Sequence, residues 1–449
     1  MNKLKTILVN ICRLLVSLTL ILSGFVKAID PLGTQYKIQD YLAALSMGSI
    51  VPDWLTLSTS VLLAAMEFSL GLFLLFAIHR RLVSRLTLIF MAVMTIVTLW
   101  VWIANPVKDC GCFGDAIVLT NAQTFFKNII LLTATIIICI WPLRMVRFIS
   151  RTNQWIVINY TLLFIIATSI YCLYDLPIFD FRPYKEGADL RTAAMGVEPQ
   201  FETTFILEKN GEQREFTLEE YPDSTWTFID SKPKIVKPGV EPQIHDFFIE
   251  QIDSIADEED PTGKKKKIVY NDITEDILNN EGYTFLLISP FLEHANDGDF
   301  GKIDQIYEYC QDNDYEFYCL TASGEEGIKR WRELTGAEYP FCRGDGTTLK
   351  TIIRSNPGLL LLHDGKVVRK WSHNFLPDAT AMKDKLENLE IGKVPTKSIP
   401  RKVVRILLWF VLPLFVLTFA DRLWAWTRWV RRKKKTTDDK PEEKEKETT

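Results

Sequence analysis

Six apolar segments constrain the fold of this chain more than any other feature of its sequence. Each has the length and apolar character of a helix that crosses a lipid bilayer. Six such segments in 449 residues predict an α-helical multi-pass membrane protein rather than a soluble protein with six buried helices. The predicted spans are Thr6 to Val26, Thr56 to Ile78, Leu86 to Ala104, Ile129 to Leu143, Trp155 to Tyr174 and Val403 to Leu423.

The distribution of lysine and arginine predicts the orientation of these spans. Basic residues precede the first span, join the second to the third and the fourth to the fifth, and follow the sixth. The positive-inside rule places such segments in the cytoplasm. Both termini are then cytoplasmic, and the long region between the fifth and sixth spans is periplasmic, in a bacterial inner membrane. We expect membrane lipid, and no nucleic acid, among the partners.

The long region between the last two spans divides into two parts. Alternating residues flank the turn signal Asn210–Gly211 and predict a small β-rich segment. After it, strands and helices alternate as in an α/β domain. The predicted organisation is 1–150 four-helix membrane domain, 151–175 fifth transmembrane helix, 176–242 β-rich segment, 243–380 α/β domain, 381–402 linker, 403–427 sixth transmembrane helix and 428–449 disordered cytoplasmic tail.

A short polar loop between the third and fourth spans carries Cys110 and Cys112, separated only by Gly111. Two thiols this close can close into a structural disulfide, exchange a disulfide with another thiol, or share a metal ion. A metal site needs further ligands, and the nearest histidine, His79, lies at the opposite membrane face. A disulfide across one residue is geometrically tight and therefore easier to reduce. We expect a redox-active pair, with a structural disulfide as the alternative.

Charged residues inside the first two spans form a second candidate site. A charge in lipid is expensive and usually faces a partner or a wet cavity. Glu67 lies in the middle of its span, so we expect it to form an intramembrane pair. Arg13 is the candidate partner within the first span. Lys27 is the other cation available, although we expect its long side chain to extend to the membrane surface.

Several features of the first third of the chain occur together. They are Arg13, the run Ser23–Lys27 followed by Asp30–Pro31, Glu67 with Gly71, the run Cys110–Gly114, and Lys127–Asn128. In these features the membrane part resembles the DoxX/MauE group of redox-associated membrane proteins. The resemblance implies thiol–disulfide or quinone chemistry at the membrane. Through MauE it also implies a link to methylamine metabolism and the maturation of methylamine dehydrogenase. We expect no tightly bound cofactor, with a membrane quinone as the one candidate.

The segment from Ser355 to Arg369 contains a proline, a strand, the turn Asp364–Gly365 and a second strand. It resembles the corresponding segment of the thioredoxin-like fold, and residues 244–247 resemble the entry of its TlpA and peroxiredoxin branch. The resemblance implies a cis Asn356–Pro357 bond. The family's redox cysteines would follow the first core strand, but residues 289–296 contain no cysteine, so the domain departs from the pattern. Cys342 lies shortly before the proline and is the candidate for exchange with Cys110 and Cys112.

Together these features predict an inner-membrane thiol–disulfide relay or maturation factor, linked to a quinone or to a second dithiol. Its partner would be a periplasmic client protein or a thioredoxin-like protein. The alternative is a non-catalytic, membrane-anchored scaffold whose thioredoxin-like domain binds partners without redox chemistry.

Overall fold

The computed structural model divides into two compact units. One comprises Met1–Phe181 with Thr396–Thr449, and the other comprises Arg182–Pro395. The structure describes residues 2–48, 50–107, 110–196, 200–209, 212–218, 221–223, 225–237, 242, 244, 247–256, 266–378, 380–395 and 398–438.

The first unit is helical. Its first six helices are α1 (Asn2–Ile29), α2 (Pro31–Ala44), α3 (Asp53–Phe76), α4 (Arg80–Ala104), α5 (Asn121–Ile140) and α6 (Gln154–Tyr174). The short helix α2 begins where the Asp30 side chain accepts a hydrogen bond from the Gly33 amide at 2.9 Å, with Pro31 at the first helical position. All of these helices except α2 are long and apolar enough to cross a bilayer, and together with the last helix they confirm the six predicted spans.

Helices α1 and α3 pack closely because glycines lie at their contact. A Cβ atom on Gly24 would lie 2.4 Å from the Phe68 backbone nitrogen, and one on Gly71 would lie 2.8 Å from the Ile21 nitrogen. Only glycine permits such an approach of two backbones. This contact positions the side chains of α1 that follow Gly24 against the middle of α3.

The second unit opens with α7 (Leu190–Met195) and a three-stranded antiparallel sheet. Its strands are β1 (Gln200–Lys209), β2 (Glu212–Phe216) and β3 (Thr227–Lys237), in the order β2-β1-β3. Strands β1 and β2 pair antiparallel, as the alternating sequence predicts. The predicted turn residues Asn210 and Gly211 lie outside the described residues.

A seven-stranded mixed sheet forms the rest of this unit. Strands β6, β7 and β8 are parallel, whereas β9 runs antiparallel to β6 and to β10. The order is β10-β9-β6-β7-β8-β4-β5. The strands are β4 (Glu250–Ala256), β5 (Lys266–Asp272), β6 (Tyr283–Ser289), β7 (Glu316–Thr321), β8 (Phe341–Arg343), β9 (Gly358–His363) and β10 (Lys366–Ser372), and the helices are α8 (Thr274–Asn279), α9 (Phe300–Asp312), α10 (Glu325–Thr335) and α11 (Gly346–Ile352).

This topology is that of a thioredoxin-like domain, as the sequence predicts. Strand β6 passes through α9 to its parallel neighbour β7, and β9 and β10 form an antiparallel hairpin on the other side of β6. The Asn356–Pro357 bond immediately before β9 is cis, which confirms the expectation from the resemblance. Every residue of β6 is buried, because both of its faces are covered.

Residues 381–395 differ from the predicted linker, because they pack on the α/β domain. Leu386 is completely buried in the same hydrophobic core as Phe285 and Leu361. Its backbone amide donates a hydrogen bond to the Tyr315 hydroxyl at 3.0 Å. The sequence around Leu386 is polar, so its local pattern does not indicate that this segment packs on a core. The segment packs there because the sheet offers Leu386 an apolar surface.

The last span consists of α12 (Ser398–Ile406), a π-helical turn (Leu407–Val411) and α13 (Leu412–Asp438). It belongs to the first unit, where Asp421 accepts hydrogen bonds from Ser150 and Asn153. Of the tail predicted to be disordered, residues 428–438 are helical and continue α13, whereas residues 439–449 lie outside the described part of the chain.

Candidate functional site

The cysteine loop joins α4 to α5, and its base is closed by hydrogen bonds. Helix α4 ends at Asn105, which has a left-handed backbone (φ 44°). The Asn121 side chain, at the first position of α5, donates to Asn105 Oδ1 at 2.8 Å and to the Val107 carbonyl at 2.9 Å. Asn121 therefore ties both ends of the loop together.

Within this loop the two thiols lie against each other. Cys110 Sγ and Cys112 Sγ are 3.5 Å apart, and both side chains are partly exposed. Gly111 between them has a φ of +63°, which favours glycine. The Tyr41 hydroxyl on α2 donates to the Cys110 carbonyl at 2.8 Å. The left-handed backbone of Gly111, which glycine adopts more readily than other residues, thus lies between two cysteines whose sulfur atoms are in contact.

A buried ammonium group holds the second half of the loop. Lys27 Nζ on α1 donates to Ser23 Oγ at 2.7 Å, to Glu67 Oε2 on α3 at 2.8 Å and to the Cys112 carbonyl at 2.7 Å. An ammonium group has three N–H donors, so all of them are used. Ser23 Oγ in turn lies 2.6 Å from Glu67 Oε2 and 2.7 Å from the Cys112 carbonyl. Lys27 and Glu67 are 5% and 2% exposed, so their charges compensate each other away from water.

The two thiols have different electrostatic surroundings. The thiol–thiol hydrogen bond with Cys110 lowers the pKa of Cys112, and the positive charges of Lys127 and Lys27 lower it further, against the opposing effects of burial and Glu67. The same thiol–thiol hydrogen bond, followed by burial, raises the pKa of Cys110. Lys127 Nζ lies over the Phe113 ring, 4.4 Å from its centroid, beside Cys112 in the chain. The arrangement therefore favours Cys112 as the thiolate and Cys110 as the group that keeps its proton.

Arg13 does not pair with Glu67, and this part of the sequence-based prediction is wrong. Glu67 pairs with Lys27 instead. Arg13 lies on α1 fourteen residues before Lys27, which corresponds to about 21 Å along the helix. Its guanidinium donates to the Val146 carbonyl at 2.5 Å and lies over the Phe148 ring, so it holds the segment after α5.

The side chain of Cys342, the predicted candidate for exchange, is buried. It lies in β8, is 0% exposed, and its neighbours across the sheet are Gln251 on β4 and Leu320 on β7. An exchange with Cys110 or Cys112 would first require the Cys342 side chain to become exposed. Cys172 on α6 is also buried, at 1% exposed. The partly exposed cysteines that share a site are therefore Cys110 and Cys112, among the residues that the structure describes.

The thioredoxin-like domain has a polar network at the position of the family's cysteine pair. Ser289 Oγ at the end of β6 donates to Asn356 Oδ1 at 2.7 Å. Asn356 Nδ2 donates to the Phe291 carbonyl at 2.9 Å, and the Asn296 amide donates to the Asn356 carbonyl at 2.9 Å. These bonds give the segment 289–296 a defined conformation without a thiol.

Sequence reasoning missed the roles of three residues. It favoured an exposed position for Lys27, and it assigned no role to Tyr41 or to the charge of Lys127. The spacing of Ser23 and Lys27, one helical turn apart and on the same helix face, was a signal that the lysine has a local partner. The contact of Tyr41 depends on how α2 folds back and has no local signal.

Comparison with known proteins supports two parts of this description. Residues 5–142 match the family "Methylamine utilisation protein MauE", which confirms the predicted resemblance of the membrane region. Residues 201–238 match a "Domain of unknown function (DUF8463)". A search of curated proteins found no match.

Two solved structures share local similarity with the chain. One is the solution structure of a protein from Bacteroides thetaiotaomicron proposed to be a protein disulfide isomerase, with 14% identity over 29% of this chain and 76% of that chain and a TM-score of 0.21. The other is an uncharacterized conserved protein from Geobacillus kaustophilus, with 14% identity over 33% of this chain and 82% of that chain and a TM-score of 0.23.

Proposed function

We propose that Cys110 and Cys112 are a redox-active dithiol through which this membrane protein exchanges electrons with a protein partner. The observation that carries the proposal is the contact of the two sulfur atoms at 3.5 Å, with the pKa of Cys112 lowered and that of Cys110 raised. Both cysteine residues are partly exposed. The MauE match over residues 5–142 is consistent with a redox-related role.

The exchange follows from the roles of the two thiols. The Cys112 thiolate attacks one sulfur of a partner disulfide, which forms a mixed disulfide and releases the partner's other sulfur as a thiolate. Cys110 then loses its proton to that thiolate and attacks Cys112 Sγ. The products are a Cys110–Cys112 disulfide and a reduced partner dithiol. The partner's remaining sulfur leaves Cys112 as a thiolate and takes a proton from water. Two electrons and one proton have then moved from the pair to the partner, and the reverse sequence oxidises the partner.

Repeated turnover requires a second redox partner, for which we propose a membrane quinone or a second dithiol. The side chains beside the loop are compatible with a quinone ring at the membrane surface. Trp102 at the end of α4 stacks on Phe125 at 5.2 Å between centroids, and Phe126 adjoins both rings. Trp102 and Phe126 are 40% and 54% exposed, so a flat ring has an aromatic surface available. We propose that the loop faces the periplasm, as the basic residues at the other end of the bundle predict.

The second candidate function is a non-catalytic scaffold, which the thioredoxin-like unit favours. Its segment 289–296 contains no cysteine, and its Cys342 is fully buried. In this account the unit binds a client protein, and Cys110 and Cys112 form a permanent disulfide that stabilises their loop.

Thiol trapping in intact cells separates the two functions. A membrane-impermeant maleimide attached to polyethylene glycol is added before and after mild reduction, and the mass shift reports the state of the pair. The relay predicts that Cys110 and Cys112 cycle between both states, and that Cys110→Ser accumulates a mixed disulfide of Cys112 with another protein. Cys342→Ser is the matched control and leaves the cycle unchanged. A pair that stays oxidised under all conditions, with no mixed disulfide, would overturn the relay and support the scaffold.

The same assay tests the second redox partner and the orientation. In membranes from cells, addition of a soluble quinone oxidises the pair if a quinone is its partner, whereas an oxidised dithiol does so if the partner is a dithiol. Labelling of the pair only after cells are permeabilised would contradict the proposed periplasmic orientation.

A further inference from the structure

A basic cavity lies at the end of the bundle opposite the cysteine loop. Helix α4 runs from Arg80 to Ala104, so the two ends are about 37 Å apart. The cavity has a volume of about 390 Å³ and opens to the surface. It is lined by Arg81, Ser84 and Arg85 from α4, by Cys139 and Ile140 from α5, and by Trp141–Arg144.

The charges around this cavity have one sign. Arg81, Arg85 and Arg144 line it, and no Asp or Glu is among its lining residues. Two of these arginines lie in the first turns of α4, where the helix dipole is already positive and where the first turn contains no acidic residue. A cluster of cations at the positive end of a helix is unfavourable by itself and becomes favourable when an anion is bound.

Neighbouring contacts fix the shape of the cavity. The Arg80 guanidinium donates to the Leu143 carbonyl at 2.6 Å and to the Met145 carbonyl at 2.8 Å. These bonds hold the segment after α5 against the start of α4. Arg81 and Arg85 line the same cavity and are exposed.

The remaining wall is apolar and continues onto the outer surface of the bundle. Ile140, the last residue of the fourth span, and Leu143, three residues beyond it, are 59% and 56% exposed. Trp141 lies between them and is partly buried. A ligand with a charged group and adjoining hydrocarbon matches this arrangement, whereas a free soluble anion would leave the apolar wall unused.

We propose that this cavity binds the phosphate headgroup of an anionic phospholipid, with Arg81, Arg85 and Arg144 around the phosphate and the acyl chains along Ile140 and Leu143. Basic pockets between helices at the membrane surface commonly take such headgroups. The arginines should favour an anionic phospholipid over a zwitterionic one because of its net charge. The apolar wall should favour it over free phosphate because of its acyl chains.

Native mass spectrometry of the purified full-length protein tests this proposal. The protein in detergent is titrated with dioleoylphosphatidylglycerol or dioleoylphosphatidylcholine, and the bound lipids are counted. We expect preferential binding of the anionic lipid by the natural sequence. Each of Arg81→Gln and Arg85→Gln weakens this binding about fivefold, and the double variant weakens it roughly thirtyfold. If the double variant fails to fold, the fivefold loss expected in each single variant still tests the proposal.

The matched control removes the same charge elsewhere on the chain. Arg428→Gln/Arg431→Gln also loses two arginines, but these side chains do not line the cavity. This control is expected to bind phosphatidylglycerol like the natural sequence. Equal binding of both lipids, or equal losses in the control and the cavity variant, would overturn the proposal. So would a titration in which inorganic phosphate displaces the anionic lipid at equal concentration, because the site would then select the phosphate alone.

Discussion

At the scale of single residues, the two cysteines differ although their sequence surroundings look alike. Each is adjacent to Gly111, and neither has a histidine or arginine beside it in the chain. The difference comes from the thiol–thiol hydrogen bond together with Lys127 and Lys27, which contribute positive charge near Cys112. Cys112 is therefore expected to be the thiol that first attacks a partner.

The lowered pKa of Cys112 predicts how its reactivity depends on pH. A group with a lowered pKa stays a thiolate at pH values at which an ordinary cysteine is protonated. Alkylation of Cys112 by iodoacetamide should remain fast as the pH falls from about 9, and should slow only below its own pKa. Cys110→Ala removes the hydrogen-bonded neighbour of Cys112 and should move the rate profile up by about one pH unit or more. Rates are measured by peptide mass spectrometry, which resolves each cysteine.

The matched control for this prediction is Cys110→Ser. Its hydroxyl group keeps a donor near Cys112 and should move the profile less than alanine does. Identical pH profiles for the natural sequence and for Cys110→Ala would show that the hydrogen bond does not set the pKa of Cys112.

At the scale of secondary-structure elements, one ion pair joins two helices and a loop. Lys27 belongs to α1, Glu67 to α3, and the carbonyl of Cys112 to the loop before α5. Gly24 allows the close approach of α1 to α3 that brings the pair to 2.8 Å. The cysteine loop therefore depends on the packing of helices that are distant from it in the chain.

Separating the pair should destabilise this assembly. Lys27→Met leaves the Glu67 carboxylate buried and unpaired, which is expected to cost about 3–5 kcal/mol of unfolding free energy. Lys27→Met/Glu67→Gln removes both charges and should recover most of that loss. Unfolding is followed by circular dichroism in mixed micelles with increasing sodium dodecyl sulfate.

The control for this cycle is Thr19→Ala on the same helix. Thr19 bonds only within α1, to the Leu15 carbonyl at 2.8 Å, and its loss should change the unfolding free energy by less than about 0.5 kcal/mol. Glu67→Gln alone completes the cycle. If the loss of unfolding free energy in the double variant equalled the sum of the losses in Lys27→Met and Glu67→Gln, the two charges would not interact and the assigned pairing would be wrong.

At the scale of the whole molecule, the last span joins the first five spans although about 220 residues separate it from the fifth in the chain. Asp421, which is 5% exposed, accepts hydrogen bonds from the Ser150 amide at 2.7 Å, the Ser150 hydroxyl at 2.6 Å and the Asn153 side chain at 2.7 Å. Arg422 donates to the Phe148 carbonyl at 3.0 Å. These bonds attach α13 to the segment between α5 and α6.

Asp421→Ala should weaken this attachment. The lost acceptor leaves three donors without this partner, which is expected to cost about 1–3 kcal/mol. Hydrogen–deuterium exchange of the full-length protein in micelles should show faster exchange of the Ser150 amide, because that amide is bonded directly to Asp421. Thr418→Ala, one turn earlier on α13, removes only a bond to Leu414 and should leave Ser150 unchanged. Unchanged exchange in Asp421→Ala would contradict the assigned role.

The sequence by itself determined the features that follow from local patterns. Apolar length defines the six spans, and alternation and turn signals define the strands. The cis Asn356–Pro357 bond was expected from the resemblance of Ser355–Arg369 to the thioredoxin-like fold. The position of Cys110 and Cys112 in one polar loop was also readable, since it depends only on adjacent residues.

Only the tertiary structure decided which distant groups meet. It paired Glu67 with Lys27 rather than Arg13, buried Cys342 in β8, and packed Leu386 into the core of the α/β domain. The physical reason is that periodicity states which face of an element is apolar, but not which other element covers that face. Close helix packing at Gly24 and the order of the strands supply that information, and both depend on the whole chain.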